Sequence, residues 1–66
     1  MNINVKVLRS KAYDESLTQK EIAKRSGLSL YAVSKVFNGK SVRESTLKKV
    51  ADCLGLRLSE VIVITD

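Results

Sequence analysis

Hydrogen-bonding side chains are concentrated on one face of a helix that the sequence predicts from Ser29 to about Asn38. At 100° per residue, the apolar side chains of this helix fall on one side and the polar ones on the other. The outward polar set consists of Ser29, Tyr31, Ser34, Lys35 and Asn38. None is acidic, and each can donate a hydrogen bond to a nucleic-acid base or to a phosphate. A face that meets only water usually includes Glu or Asp, so this pattern favours a binding surface.

Positive charge is concentrated around the same segment. The 66 residues include 12 Lys or Arg and 7 Asp or Glu, which gives a formal net charge of +5. Residues 16–49 contain eight basic and two acidic side chains, whereas residues 50–66 contain one basic and three acidic side chains. A small domain with this charge distribution favours a polyanionic partner, and nucleic acid is the leading candidate.

The composition argues against catalytic and metal-binding sites. The chain has no His, and its single Cys53 can form neither an internal disulfide nor a Cys-rich zinc site. None of the serines has a His partner or a Gly-rich elbow around it, so no nucleophile is indicated. We therefore expect no enzymatic activity, no cofactor, no metal and no small-molecule ligand. Tyr13 is interpreted as a half-buried anchor.

The length of the chain allows one domain. Residues 1–66 contain no Pro, no internal repeat and no linker, and a chain of this size must be held together by local helix packing. No apolar run is long enough to span a membrane, and no signal peptide is evident near Met1. A single reduced thiol suits the cytoplasm, which is the expected location.

Two short helices must position the polar face. The first begins at a capping box formed by Thr18 and Glu21 and is predicted to end at about Arg25, and the second is the helix of residues 29–38. The turn between them, residues 26–28, is too tight for the two helices to lie antiparallel. They must cross at a steep angle, which is the geometry of a helix-turn-helix over residues 18–38.

Six positions meet the packing and turn requirements of such a unit. They are Ile22, Ala23, Gly27, Leu28, Val33 and Val36. Ala23 permits close approach of the second helix, and Gly27 permits the backbone turn. Ser26 departs from the pattern, because an apolar residue is more usual there.

Flanking elements complete a predicted all-α fold of four to five helices. A first helix is predicted from about Val5 to Asp14, and a fourth from near Ser41 or Arg43 to Leu54. Ser59 is expected to cap a short final turn. Alternating or β-branched residues at both ends leave open short extended segments, which would pair with each other or with a second subunit.

Three segments of the chain resemble the lambda-repressor-like, Cro-type family of helix-turn-helix domains. They are residues 17–29, 33–40 and 47–56, and the resemblance covers about residues 8–62 without gaps. It implies a five-helix domain that binds operator DNA as a dimer, with its third helix in the major groove. It also implies a prokaryotic or phage origin.

The resemblance implies a role for individual side chains. Gln19 would contact the DNA backbone and brace the third helix. The residues that would face bases are Ser29, Leu30, Tyr31 and Lys35, with Ser34 close by. The phosphate contacts would come from Asn38, Lys40 and Arg43. Many relatives have a polar residue in place of Leu30, so a thymine methyl contact is expected there. Ala12 and Phe37 stand where relatives can hold an ion pair, so an apolar contact is expected instead.

The leading hypothesis is a sequence-specific transcriptional regulator that binds a palindromic operator in double-stranded DNA as a homodimer. It would act as a repressor by blocking polymerase, or as an activator by contacting polymerase. Residues 56–64 are the expected dimerisation segment. Its candidate contact residues are Leu56, Leu58, Val61 and Ile62. The alternative is an antitoxin-like or other protein-interaction module, in which residues 61–64 would form the binding edge and DNA binding would be secondary.

Overall fold

The computed structural model describes residues 2–63 as five α-helices and one two-stranded sheet. The helices are α1 (Val5–Asp14), α2 (Gln19–Ser26), α3 (Leu30–Phe37), α4 (Glu44–Cys53) and α5 (Leu58–Val61), and the strands are β1 (Asn2–Ile3) and β2 (Ile62–Val63). This confirms the expected helical fold with short extended ends. No helix within residues 2–63 is long and apolar enough to cross a membrane.

Side-chain caps set the starts of α2 and α3. The Thr18 hydroxyl accepts a hydrogen bond from the Glu21 backbone N–H at 3.1 Å, and the Glu21 carboxylate accepts one from the Thr18 backbone N–H at 3.2 Å. The Ser29 hydroxyl accepts from the Ala32 backbone N–H at 3.1 Å. Both predicted caps are confirmed, and each satisfies a helix N-terminal N–H that would otherwise lack a partner.

Four helices end in the same backbone arrangement. In each, an N–H just beyond the helix donates to a carbonyl five residues earlier, over distances of 2.8–3.1 Å. The donor and acceptor pairs are Leu17–Ala12, Leu28–Ala23, Lys40–Lys35 and Leu56–Ala51. The arrangement needs one residue with positive φ, which is Gly27 (74°) after α2 but Ser16 (55°) after α1. Each helix therefore stops within one turn, and the chain can change direction.

The core lies between all five helices. Its buried members are Leu8, Ala12, Ile22, Ala23, Val33, Val36, Phe37, Leu47, Val50, Ala51, Leu54 and Val61. Helix α2 packs against α3 and α4, while α1 packs against α3 and α5. Among the described residues, no buried side-chain nitrogen or oxygen lacks a hydrogen-bond partner. The six positions predicted for the helix-turn-helix are confirmed. The side chains of Ile22, Ala23, Val33 and Val36 are buried, Leu28 is half-buried, and Gly27 lies in the turn.

Ser26 fits the core without an apolar side chain. Its hydroxyl donates to the Ile22 carbonyl at 2.6 Å and lies 3.4 Å from the Ala23 carbonyl. The hydroxyl is therefore satisfied within its own helix, so its partial burial carries no unpaired polar group.

The two chain ends pair with each other, which is one of the two arrangements left open by the sequence. Asn2 is opposite Val63 and Ile3 is opposite Ile62 in an antiparallel register. The Asn4 backbone N–H adds a 2.7 Å hydrogen bond to the Val61 carbonyl. This pairing holds β2 against the start of α1.

Two expectations for the C-terminal segment are wrong. Val61 is fully buried in the single chain, so its side chain is not available to a second subunit. The final helix begins at Leu58 rather than after Ser59, because the Glu60 carboxylate accepts a hydrogen bond from the Arg57 backbone N–H at 2.9 Å. The conformation of residues 64–66, part of the expected dimerisation segment and binding edge, lies outside the described residues.

The capping box makes the stability of the fold pH-dependent. Hydrogen bonds from the backbone N–H and hydroxyl of Thr18 lower the pKa of Glu21 below its ordinary value of 4.5. A group with a lowered folded-state pKa stabilises the fold above the unfolded-state pKa, and this stabilisation is lost as the pH falls through the folded-state value. We expect Glu21→Ala to lower the Tm at pH 7 and to have much less effect near pH 2.5.

Circular dichroism melting curves at the two pH values measure this difference. Glu15→Ala is the matched control, since Glu15 is an exposed carboxylate outside the capping box. Equal losses of Tm at both pH values for Glu21→Ala would contradict a role for the ionised carboxylate.

The burial of Val61 predicts a stability loss within one chain. Val61→Ala leaves a cavity in the core and should lower the free energy of unfolding by about 2 kcal/mol. Val63→Ala is the control, because the Val63 side chain is 45% exposed. Urea unfolding at two protein concentrations should show the same Val61→Ala loss at both. A loss seen only at the higher concentration would instead place Val61 at a subunit contact.

Candidate nucleic-acid interface

Helix α3 presents exposed and half-buried side chains on one side. Val33, Val36 and Phe37 are buried on the other side, so the polar positions of the helix are turned outward. Tyr31 is 74% exposed and Leu30 is 52% exposed. The two large side chains therefore stand at the start of the helix, beside its Ser29 cap, and are open to a partner.

Lys35 is held beside Tyr31 on this surface. Its Nζ lies 5.7 Å from the centre of the Tyr31 ring, within the range of a cation–π interaction. Lys35 is half-buried, and a lysine can cover its methylene stem while its ammonium group remains in water. The contact favours this position of the ammonium group, and its three N–H donors are not used by the ring.

Asn38 and Ser34 already bond to each other at the end of α3. The Asn38 Nδ2 donates to the Ser34 carbonyl at 2.9 Å and to the Ser34 hydroxyl at 3.3 Å. These bonds close the last turn of the helix. A phosphate contact from the Asn38 amide group would replace one of them, so this predicted role carries a cost that the other phosphate contacts do not.

The remaining predicted phosphate contacts flank α3. Lys40 and Arg43 lie on the exposed loop between α3 and α4, and Arg43 is the residue that precedes α4. The Lys40 backbone N–H donates to the Lys35 carbonyl at 2.9 Å, which folds this loop back over the end of α3. Gly39 has a φ of 69°, and a Cβ there would lie 3.3 Å from the Val5 side chain. Glycine therefore keeps the loop close to α1.

Gln19 is the first residue of α2 and lines a surface groove between α1, α2 and the end of α3. We call this the α1–α3 groove; the residues that line it are Arg9, Ala12, Tyr13, Ser16, Leu17, Thr18, Gln19 and Phe37. Ala12 and Phe37 are buried members of the same core cluster, as the expected apolar contact requires. A polar link between α1 and α3 comes from Arg9, whose Nη2 donates to the Phe37 carbonyl at 3.0 Å.

Arg9 and Tyr13 line this groove and were not among the site residues predicted from the sequence. Arg9 and Phe37 are 28 residues apart, and no local pattern indicates their hydrogen bond. The interpretation of Tyr13 as a half-buried anchor is wrong, because the side chain is 86% exposed. An aromatic residue near the end of an amphipathic helix can be half-buried or exposed, and the sequence pattern does not distinguish the two.

The expected dimerisation residues divide into two sets. Val61 belongs to the core, as described above. Leu56, Leu58 and Ile62 are half-buried and pack against the core from outside. Val63 adjoins them in sequence and is more exposed.

The basic side chains around α3 are not neutralised by neighbouring carboxylates. Within residues 2–63, the only ion pair joins Lys48 and Asp52 at 3.3 Å on the exposed side of α4. The cations that lack such a partner in this range include Lys20, Lys24, Lys35, Lys40 and Arg43. Their charge remains available to a polyanion, and salt screens it because they are on the surface.

Comparison with known proteins assigns this arrangement to a family. A helix-turn-helix family model matches residues 14–61, which include α2, α3, α4 and α5. No match was found among curated proteins or among solved structures. The matched family consists of DNA-binding regulatory domains that bind double-stranded DNA and are not generally enzymes. The chain therefore belongs to the Cro/C1-type, lambda-repressor-like family of helix-turn-helix domains.

Proposed function

We propose that the protein is a sequence-specific repressor of transcription that binds a palindromic operator with α3 in the major groove. The observation that carries this proposal is the exposed face of α3, which has no acidic residue and lies opposite a fully buried face. An α-helix fits the major groove, where each base pair presents its own pattern of donors and acceptors. Occupation of an operator is sufficient to block polymerase.

Base contacts are assigned to the start and centre of α3. The proposed set is Ser29, Leu30, Tyr31, Ser34 and Lys35. Lys35 is the strongest candidate, because its ammonium group lies beside the Tyr31 ring on this face and can donate to the O6 and N7 acceptors of guanine. Leu30 can offer only apolar contact, which suits the methyl group of thymine.

Phosphate contacts are assigned to the residues that surround α3. The proposed set is Gln19, Asn38, Lys40 and Arg43. Gln19 lies at the start of α2, where the backbone N–H groups and the helix dipole favour an anion. Lys40 and Arg43 are exposed on the loop that follows α3. Contacts on both flanks would fix the helix in the groove without reading sequence.

A dimer would place two copies of α3 on one operator. We assign its contact to the half-buried residues Leu56, Leu58 and Ile62, together with Val63. These apolar side chains remain partly open to solvent after the core is formed, and burial of such area favours association. The half-sites would then be centred about one helical turn, ~34 Å, apart.

Selection of bound sites from a library of random-sequence duplexes tests the proposal. We expect a palindromic consensus whose half-site centres are separated by ~10 base pairs. Enrichment of a single half-site would contradict the dimeric mode of binding, and absence of any enriched motif would overturn sequence-specific recognition.

Removal of the Lys35 ammonium group should weaken specific binding. Lys35→Ala is expected to cost about 1–3 kcal/mol of binding free energy on the selected site and to relax base preference at one position per half-site. Fluorescence anisotropy with the selected site and with mixed-sequence duplex measures both effects. Lys11→Ala removes a lysine from α1 and serves as the control. Equal weakening of binding to the two duplexes would show that Lys35 contacts phosphate and not a base.

A further inference from the structure

The α1–α3 groove is a binding feature that base and phosphate contacts from the helix-turn-helix do not account for. It has a volume of about 400 Å³, is open to solvent and is lined in part by Gln19. Its walls come from the end of α1, the start of α2 and the last residue of α3. The groove is therefore continuous with the predicted DNA-contacting surface at the start of α2.

The lining of the groove has an apolar part and a charged part. Ala12, Leu17 and Phe37 supply apolar surface, and Phe37 and Ala12 belong to the core. Among the described residues, Arg9 is the only charged one that lines the groove. One guanidinium group above an apolar floor is complementary to a ligand that has a single negative charge and a weakly polar body.

Within residues 2–63, the Arg9 guanidinium makes one side-chain hydrogen bond, and its other donors have no protein partner. One of its five N–H groups donates to the Phe37 carbonyl, at the negatively polarised end of α3. This contact orients the planar group and leaves the other N–H groups for an anion. Tyr13 adds a hydroxyl on a side chain that is 86% exposed. By contrast, the Thr18 hydroxyl is already engaged with Glu21.

We propose that the α1–α3 groove holds one sugar–phosphate unit of the bound DNA backbone. Arg9 donates to the phosphate, Tyr13 is the second donor, and the deoxyribose rests on the apolar floor. The occupant is DNA because the family binds duplex DNA, the charge is complementary, and Gln19 joins the groove to the phosphate-contacting start of α2. The inference rests on the proposed DNA-binding orientation and extends it to α1.

The salt dependence of DNA binding tests the proposal, because it counts the phosphates that the protein neutralises. Dissociation constants are measured for the unmodified chain, Arg9→Gln and Lys11→Gln between 50 and 200 mM KCl. Two probes are used, a duplex with the selected site and a mixed-sequence duplex. Lys11→Gln is the matched control, since it removes one charge from the same helix and lines a different groove, with Lys6 and Leu56.

We expect Arg9→Gln to reduce the slope of log K against log salt by about 0.9 on both probes, and Lys11→Gln to leave it unchanged. A phosphate contact predicts this change, whereas a residue that only holds α3 in place would weaken binding to the selected site without altering the slope. That second result, or equal slope changes for the two variants, would overturn the proposal. Melting curves confirm that each variant is folded.

Tyr13→Phe tests the second donor without disturbing the core. Because Tyr13 is exposed, this variant should keep the stability of the unmodified chain, while losing about tenfold in affinity at every salt concentration. Unchanged affinity would overturn the assignment of Tyr13. If the unmodified chain enriches no DNA sequence, the proposal of sequence-specific binding fails. The salt-dependence slopes measured on the mixed-sequence duplex still decide whether Arg9 contacts phosphate.

Discussion

Val33, Val36 and Phe37 occupy one side of α3 and are almost entirely removed from water, and this burial determines which way the rest of the helix faces. Burial of a side chain of this size contributes about 1.5–3 kcal/mol, whereas a single exposed polar contact contributes much less. The outward position of Lys35 and Tyr31 therefore follows from packing on the opposite side. A substitution in the core would misplace these side chains without touching them.

Local hydrogen bonds turn this packing into a defined shape. Helices of eight residues, such as α2 and α3, are not stable alone in water, so tertiary contacts must supply most of their stability. The caps at Thr18 and Ser29 decide where those helices begin, and the Gly27 turn decides where α2 ends. Because the end of α2 and the start of α3 are both fixed, the angle at which the two helices cross is fixed as well. Helix α3 therefore has little freedom to change its orientation.

Features that depend on neighbouring residues could be predicted from the sequence. The capping box spans four residues, and the apolar residues Leu47, Val50 and Ala51 of α4 recur about once per turn, so both patterns are visible without knowledge of the fold. The outward set on α3 follows from the same periodicity. The individual DNA contacts of these side chains do not follow from periodicity. They were inferred from the family resemblance, and they concern a partner outside the chain.

Features that depend on distant residues could not be predicted in the same way. Val61 belongs to a run of β-branched residues, and the run alone does not distinguish a residue that completes the core from one that meets a second subunit. The hydrogen bond from Arg9 to the Phe37 carbonyl depends on how α1 crosses the end of α3. The same crossing creates the groove beside Tyr13, so no local pattern could have identified it.

The pairing of β1 with β2 also bears on the order in which the structure assembles. It joins residues about sixty positions apart in the chain, while the capping and helix-end hydrogen bonds join residues within one or two turns. Closing so long a loop costs chain entropy, and the hydrogen bonds of two residues per strand offset little of that cost. We therefore expect the helices to pack before the strands pair. By the same reasoning the strands separate first under mild denaturation, which makes amide exchange at Ile3 faster than at the buried centre of α3.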